Sequence, residues 1–266
     1  MRVLALFASI VVGGCRLHFD AAAEAPADTS ADVPVEPVEF GRGCAVGLRM
    51  DEAAWTGAPG EVIDACGGDD NGVAVERAQR ADDRERGAVG EFPAPSGCVR
   101  IADAPALHAT TELTLSAWIY PLALDGINPF GVIAKRSDFT VDDAEYTMFV
   151  WTGNTVWVDL DGRNDRNHGT RPLINGAWQQ LTVVFDGSLP APQRVAIYLD
   201  GALDAVVAES SASLAPRPNA LSIGCLPELP ATKPQLALAG RIDDAAVWTR
   251  AFTASEVAAW YAATRH

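Results

Sequence analysis

The sequence predicts an all-β sandwich or jelly roll of two antiparallel sheets, with one short helix at its C-terminal end. Two patterns in the 266-residue chain lead to this prediction. From about residue 44 onward, turn-forming residues recur about every eight to twelve positions, and the runs between them are rich in β-branched and aromatic residues. A helix start signal appears only near the end. Many short strands with one late helix fit a single domain of about 220 residues.

The strand-like runs alternate between two faces. In the run over residues 113–120, aliphatic residues point one way, while Thr114, Ser116, Trp118 and Tyr120 point the other. Such alternation is typical of a strand in a sandwich. The predicted strands are Leu113–Tyr120, Tyr146–Trp151, Thr155–Leu160, Gln180–Phe185, Arg194–Leu199, Ala220–Gly224 and Arg241–Trp248.

The helix is predicted from its capping box. Thr253-Ala254-Ser255-Glu256 has the spacing in which a threonine side chain and a glutamate three residues later satisfy each other's backbone N–H groups. Val257, Trp260 and Tyr261 then follow at helical spacing. We therefore expect a helix that packs its tryptophan against the sandwich.

The first residues have the features of an export signal. Arg2 precedes the apolar run Val3–Val12, which is too short to span about 30 Å of hydrocarbon as a helix. Val12-Gly13-Gly14-Cys15 resembles the bacterial lipobox, in which cleavage precedes a cysteine that is then lipidated. We expect residues 1–14 to be a lipoprotein signal peptide and Cys15 the lipidation site. Arg16 favours the outer membrane of a Gram-negative bacterium. The alternative is an ordinary signal peptide with an incidental cysteine.

Residues 15–43 are predicted to be a tether between this lipid anchor and the domain at residues 44–266. After Cys15 the segment carries six acidic residues, two arginines and few bulky apolar side chains, so it cannot form a core. The lipid is the expected membrane anchor, and no later segment is apolar enough to be a second one.

The net charge of −15 limits the partners. Nucleic acid and anionic lipid both require a positive face, so neither a nucleic-acid partner nor polybasic docking on a membrane is expected.

The remaining cysteines predict two disulfides. An exported chain with the even set Cys44, Cys66, Cys98 and Cys225 reads as a disulfide framework, for which three pairings are open. The chain has no CxxC pair, which gives no support to a redox motif or a cysteine zinc site.

A series of short motifs runs in order along residues 47–264. The most specific are Leu115–Pro121, which reads LSAWIYP, and Gly240–Asp244, which reads GRIDD and leads through Arg250–Phe252 to Glu256. The others are Leu48–Glu52, Cys66–Gly72, Val99–Ile101, Pro105–Leu107, Ile133–Lys135, Trp178–Leu181, Ile197–Gly201 and Ile223–Gly224. Together they resemble the LamG-like family of laminin G, pentraxin and concanavalin A-like jelly rolls.

The resemblance has four implications. It implies a concanavalin A-like jelly-roll sandwich, and a family that mostly binds ligands rather than reacting with them. It also favours the pairs Cys44–Cys66 and Cys98–Cys225, because that fold would bring each pair of segments together. Finally, it assigns Trp118, Trp178, Tyr198 and Trp248 to core positions.

Catalysis has little support in the sequence. Glycosidases with this fold place Glu-x-Asp-x-Glu on one strand, but no glutamate here has an aspartate two positions later. The closest pattern, Asp159-Leu160-Asp161, ends in a glycine turn and contains no glutamate. The G-x-S-x-G and H-E-x-x-H motifs are also absent. We therefore expect no enzyme activity.

Calcium is the natural ion for oxygen-rich loops of an acidic, exported protein. The first candidate site is Asp64, Asp69, Asp70 and Asn71, completed by Asp243 or Asp244. The second candidate is the loop with Asp159, Asp161, Asn164, Asp165 and Asn167. The alternative for both is ordinary turn chemistry, since Asp, Asn and Gly are also the residues that turns require.

Trp151 and Trp157 are the candidate ligand-binding aromatics. They flank the turn Thr152–Thr155, and their strands are expected to pair as a hairpin. If both face outward, they could stack on a sugar ring, with Asp159, Asp161 and Asn164 beside them. The alternative is that both pack against loops or the inner sheet.

These observations predict a non-catalytic surface lipoprotein whose domain binds a polysaccharide or glycoconjugate. The expected binding region includes the loops Leu124–Gly131 and Asp159–Arg171. The first alternative is a module that binds a surface protein or has a structural role, without a sugar site. A glycan-cleaving enzyme with carboxylates from different strands is the third option.

Overall fold

Two large antiparallel sheets make up the fold. The computed structural model describes residues 40–162, 167–227 and 236–265. In chain order the strands are β1 Cys44–Leu48, β2 Val73–Val75, β3 Gln79–Asp83, β4 Gly87–Phe92, β5 Cys98–Ile101, β6 Glu112–Pro121, β7 Phe130–Lys135, β8 Tyr146–Trp151, β9 Thr155–Leu160, β10 Asn167–His168, β11 Gln179–Asp186, β12 Val195–Leu199, β13 Ala202–Val207, β14 Leu221–Ile223, β15 Cys225–Leu226, β16 Leu236–Ala237 and β17 Gly240–Trp248. The helix α1 is Ala254–Thr264, and three single 3-10 turns occupy Pro105–Leu107, Thr152–Asn154 and Ala191–Gln193.

The strand order places the first and last described strands side by side in the same sheet. The eight-stranded sheet runs β13-β12-β11-β6-β17-β4-β3, with β1 paired to β17 beside this path. The seven-stranded sheet runs β10-β9-β8-β7-β14-β5-β2, and β15 and β16 form a separate pair. The predicted sandwich is therefore confirmed, and all seven predicted strands are present within one or two residues of their expected bounds.

The main core lies between the sheets. Leu115 and Ile119 of β6 face Met148 and Val150 of β8 in one buried cluster. The opposite face of β6 is also buried, because α1 packs over it. Ser116 accepts a hydrogen bond from Trp260 Nε1 at 3.1 Å. Because both faces of β6 are buried, packing constrains nearly every residue of this strand. This explains why the run contains one of the most specific family motifs.

The capping box closes the start of α1. Glu256 N donates to Thr253 Oγ1 at 3.2 Å, and Thr253 N donates to Glu256 Oε2 at 2.7 Å. Trp260 then packs with Trp248 in a second buried cluster on the outer face of the eight-stranded sheet. The predicted helix and its start are confirmed.

Phe40 belongs to this second cluster. It is buried at 8% exposure and stacks beside Trp248 and Trp260. The packed domain thus includes residues that the sequence had placed in the tether, because an aromatic side chain at position 40 fills the gap beside β1. Residues 1–39, with Cys15, lie outside the described residues. Within the described ranges, no helix combines the length and the apolar character needed to cross a membrane.

Both disulfides follow the favoured pairing. Cys44–Cys66 ties β1 to the loop that follows it, and Cys98–Cys225 ties β5 to β15 across 127 residues of sequence. A covalent link over such a long loop restricts the unfolded chain and so stabilises the fold.

Arg86 is a buried cation on the outer face of the eight-stranded sheet. Its Nε donates to Asp243 Oδ2 at 2.6 Å and its Nη2 to Asp244 Oδ2 at 2.7 Å. Its Nη1 donates to the carbonyl of Thr264, in the last turn of α1, at 2.9 Å. The guanidinium also lies 4.5 Å from the ring centroid of Trp118. One side chain therefore joins the β3–β4 turn, β17 and the end of the helix.

The two aspartates beside Arg86 repel each other. Burial raises the pKa of the Asp243 carboxyl to about 7, and the nearby Asp244 carboxylate adds to this rise, while Arg86 opposes it. The folded state therefore binds a proton on Asp243 more tightly than the unfolded chain does.

Replacing Asp243 with asparagine should change how stability depends on pH. Because its folded-state pKa is raised from 3.8 to about 7, the stability from protonated Asp243 is complete below about pH 4 and is lost as the pH rises through about 7. Asparagine does not titrate. The melting temperature of Asp243→Asn minus that of the native protein should therefore increase between about pH 4 and pH 8. Calorimetry with the exposed Asp142→Asn as control measures this, and a constant difference would contradict the raised pKa.

Candidate functional site

The β8–β9 hairpin places three aromatic rings on the outer face of the seven-stranded sheet. Phe149 pairs directly with Trp157, and Trp151 pairs with Thr155 at the turn. Alternation then puts Phe149, Trp151 and Trp157 on the face opposite Met148 and the inter-sheet core. The ring centroids of Trp151 and Trp157 are 5.1 Å apart. The predicted hairpin is confirmed, and both tryptophans point away from the main core.

Two further rings complete this surface, which we call the aromatic face (Phe139, Phe149, Trp151, Trp157 and His168). Phe139, from the β7–β8 loop, meets Phe149 at 5.5 Å and Trp151 at 6.2 Å. His168 of β10 stacks on Trp157 at 4.5 Å with an interplanar angle of 27°. Each ring is thus held in place by at least one other ring.

Exposure differs sharply across the aromatic face. Trp157 is only 8% exposed, because His168 and the neighbouring rings cover it, and its Nε1 has no hydrogen-bond partner among the described residues. Trp151 and Phe139 are half-buried, and His168 is exposed. Trp151 Nε1 donates to the carbonyl of Ile127 at 2.8 Å, in a loop where the Ile127 side chain is 74% exposed. Of the two candidate tryptophans, Trp151 is therefore the one that a ligand can reach.

The acidic residues predicted beside these tryptophans have structural partners. Asp159 is fully buried and accepts a hydrogen bond from Arg136 Nη1 at 2.9 Å. Asp161 accepts hydrogen bonds from Ser211 Oγ at 2.7 Å and from Ala215 N at 3.1 Å. These bonds fix the loop that contains Ser211 and Ala215. Asp159 is thus held inside the protein, away from any ligand. Asn164 and Asp165 lie outside the described residues, and Asn167 donates to the carbonyl of Ala208.

The first acidic loop is closely packed. Asp64 Oδ1 accepts from Gly47 N at 3.0 Å and from Cys66 N at 2.9 Å, while Asn71 Oδ1 accepts from Asp64 N at 2.8 Å. Asp64 Oδ2 is buried without a hydrogen-bond partner among the described residues. Burial, together with the charges of Asp64 and Asp69, raises the pKa of Asp70. This mutual repulsion suits a cation, although Asp64 Oδ1 and Asn71 Oδ1 already accept hydrogen bonds from backbone N–H groups.

Asp244 does not complete this cluster. The first and last strands do lie side by side, as expected, since Leu48 pairs with Ala245. The Asp244 carboxylate nevertheless binds Arg86, and Arg49 lies 3.6 Å from it, so two cations already neutralise it. Over residues 40–162, 167–227 and 236–265, no group of three or more His, Cys, Asp or Glu side chains is arranged to hold a metal ion. Calcium binding stays a prediction.

A buried charged cluster was not foreseen from the sequence. The fully buried Lys135 Nζ bonds Asp103 Oδ1 and the carbonyls of Arg217 and Asn219. Glu145, also fully buried, binds His108 Nδ1 at 2.9 Å. Lys135 was visible only as part of a family motif, and nothing local predicted its partners, which come from distant loops. The cluster fastens those loops together.

Trp178 corrects another expectation. Trp118, Tyr198 and Trp248 are buried as the family resemblance implied, but Trp178 is only half-buried. It precedes β11 and donates from Nε1 to Asp83 Oδ1 at 3.1 Å on the outer face of the eight-stranded sheet. Its position at the start of a strand, rather than inside one, leaves part of the ring open to solvent.

The two antiparallel sheets define a jelly-roll β sandwich. A family model described as "Concanavalin A-like lectin/glucanases superfamily" (Laminin_G_3) matches residues 94–258, which is more than half of the chain. The chain therefore belongs to this superfamily. No curated protein matches the chain at a significant level.

Several solved structures share the fold. Domain 4 of AbnA, a GH43 extracellular arabinanase from Geobacillus stearothermophilus in complex with arabinotriose, is 16% identical with a TM-score of 0.56, over 82% of this chain and 98% of that one. A structure of botulinum neurotoxin type C, whose cell entry depends on two ganglioside molecules, is 11% identical with a TM-score of 0.55, over 80% of this chain and 51% of that one. A putative carbohydrate-binding protein from Bacteroides ovatus ATCC 8483 is 14% identical with a TM-score of 0.50, over 64% and 46%. This chain thus spans about half of the latter two.

Trp157→Ala should destabilise the fold much more than Trp151→Ala does. Removing a nearly enclosed tryptophan costs about 3–5 kcal/mol of unfolding free energy, whereas the half-buried Trp151 should cost less. Urea unfolding of the two variants measures the difference. Equal losses would mean that Trp157 is as open to solvent as Trp151.

If calcium binds the Asp64 loop, millimolar calcium should raise the melting temperature, since a ligand that binds only the folded state stabilises it. Asp70→Asn should remove that increase, because the half-buried Asp70 carboxylate faces the charge of Asp64. The exposed Asp142→Asn should retain it. A melting temperature that calcium leaves unchanged would exclude both predicted calcium loops.

Proposed function

We propose that this chain is a non-catalytic glycan-binding module that uses the aromatic face around Trp151. The single observation that carries the proposal is the set of interlocked rings on the outer side of the seven-stranded sheet, of which Trp151, Phe139 and His168 are open to solvent. Rings fixed in advance bind a ligand without a further loss of side-chain freedom.

The chemistry of the aromatic face suits a sugar chain. The apolar C–H face of a sugar ring can stack on an indole, and surrounding polar groups then orient its hydroxyls. Trp151 is partly open to solvent, and the adjacent 124–128 loop carries backbone and side-chain polar groups around Asp125 and Asn128. The rings are tilted against one another, by 84° between Phe139 and Trp151, so the aromatic face offers several separate contacts. Such an open surface suits several units of a polysaccharide rather than one small molecule.

The structural neighbours support the same class of ligand. One neighbour is in complex with arabinotriose, another depends on gangliosides for cell entry and a third is a putative carbohydrate-binding protein, although sequence identities of 11–16% carry only the fold over to this chain. Against catalysis, Asp159, which is part of the pattern most similar to that of a glycanase, is buried against Arg136. The ligand proposed here is a polysaccharide or glycoconjugate.

The proposed setting is the cell envelope. The support is the sequence alone: an apolar export signal, a lipobox-like Val12–Cys15 and an acidic tether. Lipidation of Cys15 would anchor the module in the outer membrane and leave the binding domain exposed at the end of the tether.

The test is a binding screen of the full chain against immobilised polysaccharides, arabinan oligosaccharides and ganglioside oligosaccharides, run with calcium and again with a chelator. We expect a saturable hit, with Trp151→Ala weakening it about tenfold or more through the lost stacking surface. Loss of the hit in chelator would place a calcium loop at or beside the site.

The matched control is Trp55→Ala, which removes a half-buried tryptophan on another part of the surface. This variant should bind as the native protein does. A clean negative in both buffers would overturn the sugar proposal in favour of a protein-binding role. A hit that Trp151→Ala leaves unchanged would overturn the placement of the site.

A further inference from the structure

A pocket that is separate from the aromatic face lies on the opposite side of the sandwich. This pocket, which we call the helix-side pocket, has a volume of about 280 Å³ and opens on the outer face of the eight-stranded sheet beside the end of α1. Five separate elements form its walls: Glu85 from the β3–β4 turn, Trp118 of β6, Trp178 before β11, Asp200 from the β12–β13 turn and Tyr261 from α1. Walls from five elements make a cavity whose shape depends on the tertiary fold.

Two rings in this pocket are held rigidly. Trp178 is fixed by its hydrogen bond to Asp83 and by Tyr120, whose ring lies 5.5 Å away. Tyr261 stacks on Trp118 at 5.4 Å with an interplanar angle of 23°. Trp178 and Tyr261 are both half-buried, so each is partly open to solvent.

The β12–β13 turn brings the chain close enough to fix Tyr261 from the other side. Gly201 has φ +71°, and a Cβ placed there would lie 2.8 Å from Cβ of Tyr261. Only glycine fits at that spacing and in that conformation. The side chain of the preceding residue, Asp200, accepts a hydrogen bond from Gln180 N at 2.9 Å, which holds the turn beside the pocket.

The polar groups that line the pocket are mainly hydrogen-bond acceptors, and they do not suit an anionic ligand. Glu85 is exposed and makes no ion pair within the described ranges, so its carboxylate can accept hydrogen bonds. Asp200 adds a second carboxylate. The buried Arg86 also lines the cavity, but Asp243 and Asp244 already neutralise it. The exposed Arg265 is left as a donor at the rim.

We propose that the helix-side pocket binds a single neutral sugar residue, such as the end of a glycan chain. The part of the Trp178 ring that is open to solvent would stack on its apolar face and the edge of Tyr261 would contact it, while Glu85 and Asp200 accept hydrogen bonds from its hydroxyls. The volume of about 280 Å³ lies just below the usual range of ligand pockets, about 300–1,000 Å³, so it suits one ring and not a continuous chain. This site differs from the aromatic face in both position and ligand size, and the proposal does not depend on that face.

The experiment is titration of the full chain with methyl glycosides of glucose, galactose, mannose, N-acetylglucosamine and arabinose, followed by saturation-transfer NMR and calorimetry. At least one glycoside should bind in the millimolar range. Trp178→Ala should weaken it about tenfold or more by removing the stacking surface. Glu85→Ala should weaken it about tenfold by removing a charged acceptor, and because Glu85 is exposed this variant should fold normally.

The control is again Trp55→Ala, which should bind the glycoside as the native protein does. Failure of all five glycosides to bind overturns the proposal, as does binding that is unchanged in both Trp178→Ala and Glu85→Ala. The polysaccharide screen with Trp151→Ala tests the aromatic face separately, so the two proposals can fail independently. N-acetylneuraminic acid is included as an anionic probe, and a preference for it would contradict a neutral ligand.

Discussion

The buried guanidinium of Arg86 is the interaction on which much of the outer layer depends. Taking a cation out of water is costly unless its hydrogen bonds and charge are both satisfied, and here Asp243, Asp244 and the Thr264 carbonyl satisfy them. Because those partners lie about 160–180 residues further along the chain, the arrangement exists only when β17 and α1 are in place. The helix then covers the outer face of β6. The positions of Trp118 and Tyr261 follow from the same contact.

Most of the sandwich could be predicted because its strands bury one or both faces. The Leu113–Tyr120 run alternates strictly, and Thr253–Glu256 is a local capping signal, so both depend on sequence neighbours alone. Short edge strands such as β2 and β10 gave no such signal. They form because a longer strand beside them offers unpaired backbone groups, which is a property of the fold and not of the segment.

The candidate site was only partly predictable for a related reason. The turn between Trp151 and Trp157 predicted a hairpin and hence a shared face, and this was right. Exposure, however, depends on what distant segments cover, and neither the stacking of His168 on Trp157 nor the burial of Asp159 against Arg136 can be read from local sequence. Asp244 illustrates the same limit, since it lies beside the first strand as expected yet is neutralised by arginines.

Thr264 also affects how readily the last turn of the helix can open. Its carbonyl accepts a hydrogen bond from Arg86 Nη1, and its side chain accepts one from Trp118 Nε1. Fraying of this turn would leave the buried guanidinium of Arg86 and the indole N–H of Trp118 without these acceptors at the same time, and an unsatisfied buried donor is costly. The final turn of α1 is therefore coupled to β6 and to the β3–β4 turn, and it resists the local opening that is usual at the end of a helix.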